Sequence, residues 1–203
     1  SFQLSTGATL LCLIIGFPVA YYITLLPENR RNLYIYLITI PFWTNLLIRT
    51  FAWIIILGRG GVIETPLLAA GIIEDSLRMM YTDGAIAIGL TYSYLPLMVL
   101  PIYASLEKID FRLLEAASDL YATRLEVMTK VVIPLCKPGI IAGCILVFIP
   151  CLGAFIAPNL LGGGKKLMLG SLVQFQFASA RNWPIGAALS MLLLSAVVFM
   201  LIF

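Results

Sequence analysis

The 203-residue chain contains no histidine, and only 11% of its residues are charged. The first absence removes histidine-based acid–base chemistry and takes the commonest ligand away from any zinc or haem site. The second leaves too few charges to cover a water-facing surface, since soluble domains carry about 25% charged residues. The long apolar stretches contain no Asp or Glu. An intramembrane enzyme would therefore lack a general base, and a secondary transporter its acidic coupling groups. The cysteines Cys12, Cys136, Cys144 and Cys151 form no C-x-x-C pair. Cys144 and Cys151 could share a helix face, but the four read first as small apolar residues of lipid-embedded helices. A net charge of +3 is too small to attract nucleic acid, and no cofactor is expected in the chain.

What is present is hydrocarbon: 61% of the residues are hydrophobic and the mean hydropathy is +1.02. The lipid bilayer is the solvent that suits such a chain. The expected fold is an all-α integral membrane protein, a polytopic helical bundle forming a single transmembrane domain over residues 1–203. Five apolar stretches, near residues 4–26, 33–57, 84–106, 135–157 and from 185 onward, approach the length that crosses a hydrocarbon core. The first begins almost at residue 1 and the last is still apolar at Phe203, so a piece of a longer chain is expected. Arg30, Arg31, Lys108, Arg112, Arg124, Lys130 and Lys137 fall on one side, against Arg59, Arg78, Lys165, Lys166 and Arg181 on the other. The positive-inside rule then places the first group in the cytoplasm.

Prolines recur within the stretches at Pro18, Pro41, Pro96, Pro101, Pro138 and Pro150. Each removes a backbone donor and can kink its helix. Gly139, Ala142 and Gly143 permit close helix approach. A moving pathway would use such features, and so would ordinary packing. Arg49, with Asn45 one turn before it, is the clearest ionisable residue inside a stretch. Charge at that depth is costly, so it is expected to face the bundle interior, paired with a carbonyl or lining a pathway. The Gly162–Lys166 run has the outline of a phosphate loop but carries Asn159 at the first glycine and Lys166 at the hydroxyl position. It reads as a flexible, basic external loop.

The segment 110–134 is too polar to span and too patterned for a loose loop. Asp110 can cap a short helix running to Ser118 or Asp119. Glu115 and Asp119, four apart, share its exposed face, and Ala116 and Ala117 keep the neighbouring surface shallow. Thr123-Arg124-Leu125-Glu126 reads as a capping box that starts a second helix. Leu125, Met128 and Val132 supply its apolar stripe.

Glu115-Ala116-Ala117, followed at a fixed interval by Val131-Val132-Ile133-Pro134, resembles the EAA loop of the membrane subunits of type I ABC importers, the binding-protein-dependent permeases. The resemblance covers nearly the whole chain. The runs Pro41–Thr50, Tyr94–Tyr103, Pro158–Gly163 and Asn182–Pro184 look like the spermidine/putrescine branch. It implies a multi-pass permease of the bacterial plasma (inner) membrane with about six spans, so one helix would precede residue 1. It implies a cytoplasmic coupling loop over 107–134, in which Glu115, Ala116, Ala117, Asp119, Tyr121, Arg124 and Pro134 meet a cytosolic ATPase dimer. A second homologous permease subunit and an extracytoplasmic solute-binding protein would complete the importer, the latter facing the 59–83 and 158–184 loops. Candidate pathway-lining residues are Trp43, Asn45, Arg49, Tyr94, Phe155 and Asn159.

Two departures from the family pattern stand out. The family has Gly where this chain has Tyr121. Gly suits a positive-φ turn between the two helices, and a bulky residue there costs roughly 1 kcal/mol or more. Either the turn is built differently or the coupling surface is altered. Some relatives carry Glu near 153–159, where this chain has Ala154 and Asn159. The resemblance therefore implies a polyamine first and keeps opines, other amines, ferric ion and small oxyanions open.

Overall fold

The computed structural model describes residues 1–62, 64–69, 79–164 and 168–202; Arg78, Lys165 and Lys166 lie outside them. The described residues are helical and contain no strand. In hydrocarbon every backbone N–H and C=O needs an internal partner, and a helix supplies them all within one segment.

Three helices are long and apolar enough to cross a membrane: α1 (Phe2–Leu25), α5 (Asp83–Leu106) and the continuous run Arg124–Gly153. That run is built from α7 (Arg124–Val127), a π-helical turn (Met128–Val132) and α8 (Ile133–Gly153). Its 30 residues reach about 45 Å at 1.5 Å per residue, so its polar first turns extend beyond a core about 30 Å thick. α11 (Trp183–Ile202) corresponds to the fifth apolar stretch.

The second stretch is not one continuous helix. α2 (Glu28–Trp43) ends and α3 (Leu46–Leu57) begins on either side of a helix break at Thr44 and Asn45. Pro41 withholds an N–H just before the break. Asn45 leaves helical geometry at ψ 131, and its side chain accepts the Leu47 N–H at 2.8 Å, capping α3. Hydrophobicity reads across the break because both helices are apolar. Asn45→Ala is expected to destabilise the α3 start by about 1 kcal/mol, read as a lower melting temperature in detergent. The fourth stretch is also interrupted. α8 ends at Gly153, and α9 (Ile156–Leu161) begins after Ala154 and Phe155.

The chain divides into two compact units. One comprises 1–8, 44–93 and 148–203. In it α3 packs on α9 and α10 (Leu169–Ala178) on α11. Ile86, Leu90, Leu161 and Met168 are buried. Edge-on ring pairs Phe2–Phe148 at 5.4 Å and Trp53–Tyr92 at 5.5 Å join its parts. After α3, the buried Glu64 accepts the Gly60 N–H, fixing the turn that leads into α4 (Glu64–Ala69).

The other unit comprises 9–43 and 94–147. Here α8 lies against α5 at two glycines. A Cβ on Gly139 would meet Ser105 and the Pro101 carbonyl oxygen, the latter at 2.6 Å, and one on Gly143 would meet Met98 Sδ at 2.8 Å. Ala142 faces outward. Of the three small residues singled out in sequence, only the glycines four apart form the contact, because only they share that helix face. Many large apolar side chains on the spans remain exposed, among them Ile14, Leu37, Ile55 and Leu192, as lipid-facing positions require.

Candidate coupling surface and pathway residues

Two short helices and one turn build the polar surface of the second unit. Asp110 caps α6 (Phe111–Asp119), its Oδ1 accepting the Arg112 N–H at 3.0 Å. Glu115, Ala116 and Asp119 are exposed on α6 and Ala117 is half-buried. At the far end, Tyr121 N–H donates to Ser118 O at 3.0 Å and Ala122 N–H to Ala117 O at 3.2 Å. This pair closes a Schellman motif, whose pivot residue is left-handed and usually Gly. The pivot here is Tyr121, at φ 61. The turn thus has the geometry a glycine would give, and what changes is the surface. The Tyr121 ring is 96% exposed, beside Leu120 at 82% and, across the turn, Leu125 at 78%.

The second helix begins on the expected capping box. Thr123 N–H donates to Glu126 Oε2 at 2.9 Å, and Glu126 N–H donates to Thr123 Oγ1 at 3.4 Å. Lys130 Nζ bonds Glu126 Oε1 at 3.1 Å. The backbone donor of Thr123 first, then Lys130 and the Thr123 hydroxyl, hold the Glu126 carboxyl down at about 2. Lying in the polar turns ahead of the apolar run, it stays ionised and clamps the start of the helix throughout the neutral range.

The apolar stripe differs from the expected one. Val127 and Val132 are buried, Met128 is half-buried and Leu125 points outward. The cause is the π turn, in which Ile133 N–H bonds Met128 O. One extra residue per turn puts positions five apart on one face, so Val127 and Val132 replace the 3.6-residue pattern. Pro134, which has no N–H to give, follows directly and is exposed.

The pathway candidates fall in both units. Asn45, Arg49, Phe155 and Asn159 belong to the first unit, and Trp43 and Tyr94 to the second. Asn45 is a helix cap. Arg49 is half-buried on α3, and its Nη1 donates to the Ser93 carbonyl oxygen at 3.4 Å, the carbonyl pairing anticipated from sequence. Trp43 is exposed at the end of α2, and Tyr94 is half-buried on α5. Asn159 Nδ2 donates to Gln174 Oε1 at 2.8 Å, tying α9 to α10. Phe155 borders a cavity of about 550 Å³ with Gly170, Val173, Gln174, Ser190 and Leu194. Its lining carries no charge. Gln174 and Ser190 were not singled out in sequence, where α10 shows two glutamines, Gln174 and Gln176, among apolar residues. The expected flexible Gly162–Lys166 loop is described only to Gly164, since Lys165 and Lys166 lie outside the described residues. Tyr81 N–H donates to Leu161 O at 3.0 Å, and the Tyr81 ring fills the space a Gly163 side chain would need.

Several apolar helices of membrane-crossing length with a polar two-helix insertion between them suit a transport-system membrane subunit. The family model of the binding-protein-dependent transport system inner membrane component matches residues 12–203, and the chain belongs to that family. It is a multi-pass inner-membrane permease subunit. The spermidine/putrescine transport system permease protein PotB of Escherichia coli (strain K12) is 45% identical over 193 residues, 95% of this chain and 70% of the relative. PotB of Salmonella typhimurium (strain SL1344) is also 45% identical over 193 residues, covering 67% of its length. A bacterial alginate ABC transporter, crystallised with a periplasmic protein carrying an alginate pentasaccharide, has the same fold, with TM-score 0.69 and 16% identity over 98% of this chain and 75% of that one.

Proposed function

We propose that this chain forms the membrane pathway of an ABC importer for a polyamine of the spermidine/putrescine class. A cytosolic ATPase dimer would drive it through α6 and α7, with a second homologous permease subunit and an extracytoplasmic binding protein. The observation that carries the coupling role is the 110–134 insertion. It is a capped, two-helix polar surface with Glu115 and Asp119 exposed, and its second helix runs on into an apolar span. ATP-driven movement of the docked ATPase would reach the spans because Arg124–Gly153 is one continuous helical run. The substrate class follows the 45%-identical spermidine/putrescine permeases. The uncharged cavity gives a polycation little specific attraction, so selection would rest with the binding protein.

Full-length permease, purified with its associated subunits and reconstituted in proteoliposomes, is expected to take up radiolabelled spermidine only with ATP and the binding protein. Uptake of an opine or an oxyanion in its place would replace the substrate class. Uptake without ATP would replace the importer reading by a secondary carrier.

A further inference from the structure

Tyr121 is a costly choice for its position. A left-handed φ of 61 disfavours any side chain with a Cβ, and a glycine would make the same Schellman turn without strain. The ring does nothing for this chain's own packing, since it is almost wholly exposed. A strained residue with no internal use points to a use outside the chain. Its neighbours sharpen that conclusion. Leu120 and Leu125 are also exposed, so three exposed apolar side chains flank one turn of the insertion.

The bilayer surface is a poor occupant for this patch. The insertion carries Arg112, Arg124 and Lys130 together with Asp110, Glu115, Asp119 and Glu126, whereas helices that rest on anionic lipid carry a one-sided basic face. An apolar centre rimmed by charges of both signs is the anatomy of a protein interface, and tyrosine is among the residues that anchor one.

We infer that Tyr121 is a specificity residue, an aromatic plug that enters an apolar pocket on this importer's own ATPase subunit and selects it over ATPases fitted to a glycine turn. The inference rests on the coupling role proposed for α6 and α7. The pocket would have apolar walls for the ring, with Leu120 and Leu125 sealing its edge against water. A polar group at its base would meet the phenol hydroxyl.

The test compares full-length permease variants in nanodiscs for affinity toward the ATPase that co-purifies with the wild type. Tyr121→Phe keeps the ring and is expected to bind within about threefold of wild type. Tyr121→Gly and Tyr121→Ala lose it, and both are expected to bind about 30-fold more weakly, the scale of an aromatic interface anchor. Tyr121→Gly should melt no lower than wild type, since it relieves the left-handed strain, which separates lost docking from lost folding. Wild-type affinity in Tyr121→Gly overturns the inference. So does a Tyr121→Trp variant whose emission shifts to the blue in vesicles lacking the ATPase, because the ring would then rest in lipid. Glu115→Arg, measured alongside, tells the two levels apart. If it also binds normally, the coupling role itself is wrong. If it fails to bind while Tyr121→Gly binds normally, only the plug is wrong.

Discussion

Glu115→Arg is expected to cut ATPase association and solute-stimulated ATP hydrolysis by at least about 30-fold, with uptake falling in step, while the permease still inserts and folds. Glu115 is exposed in the middle of α6. Glu115 itself makes no ion pair among the described residues. Exposed substitutions away from caps and packed contacts usually move stability by no more than about 0.5 kcal/mol. A large loss would therefore come from the partner. Reversing the charge turns attraction into repulsion with whatever group Glu115 faces, and also puts a long side chain on the shallow surface of Ala116 and Ala117. Thermal stability and ATP hydrolysis, measured on the same proteoliposomes, check it. Wild-type hydrolysis and uptake would remove α6 from the coupling surface.

Gly139→Val is expected to remove most folded protein from the membrane fraction. The new Cβ would meet the Pro101 carbonyl oxygen at 2.6 Å and Ser105 Cβ at 2.7 Å. Neither can swing aside as a long side chain would, so α8 has to move off α5. Overpacking of this kind costs about 1–3 kcal/mol, and two β-branched methyls add to it, against a total stability of about 5–15 kcal/mol. Gly143→Ala should be milder, because the atom in its way is Met98 Sδ at 2.8 Å, the mobile part of a pliable side chain. Ala142→Val, on the outward face, should leave yield and melting temperature near wild type. Fluorescence-detected size exclusion of the three variants reads the order directly. Equal yields for Gly139→Val and Ala142→Val would mean that α5 and α8 do not rely on close approach there.

Membership of the membrane class was legible at once, because too few charges and no histidine leave few other classes standing. The insertion was legible for a different reason. Capping is local chemistry, so Asp110 and the Thr123–Glu126 box could be placed on helix starts from sequence, and the structure has both. The Gly-to-Tyr departure could be seen too, but its consequence could not. Sequence left a rebuilt turn and an altered surface equally open, and the φ of Tyr121 chose the second.

The pathway candidates were less legible. Arg49 was expected either to pair with a carbonyl or to line the pathway, and its Nη1 donates to the Ser93 carbonyl oxygen. Asn45 looked like a polar residue in a span because the helix break that makes it a cap leaves no trace in hydropathy. Leu125 was assigned to an apolar stripe at helical spacing; across the π turn the buried positions are Val127 and Val132.

Sequence by itself determined the solvent of this protein, its helical class, the apolar stretches and the two caps of the coupling insertion. Each depends on composition or on bonds between residues a few positions apart. Only the tertiary structure decided where the second and fourth stretches break, which glycines let α8 approach α5, and which apolar side chains of the insertion stay outside. Those outcomes depend on the atoms a distant segment places across the contact, and no local pattern carries that information.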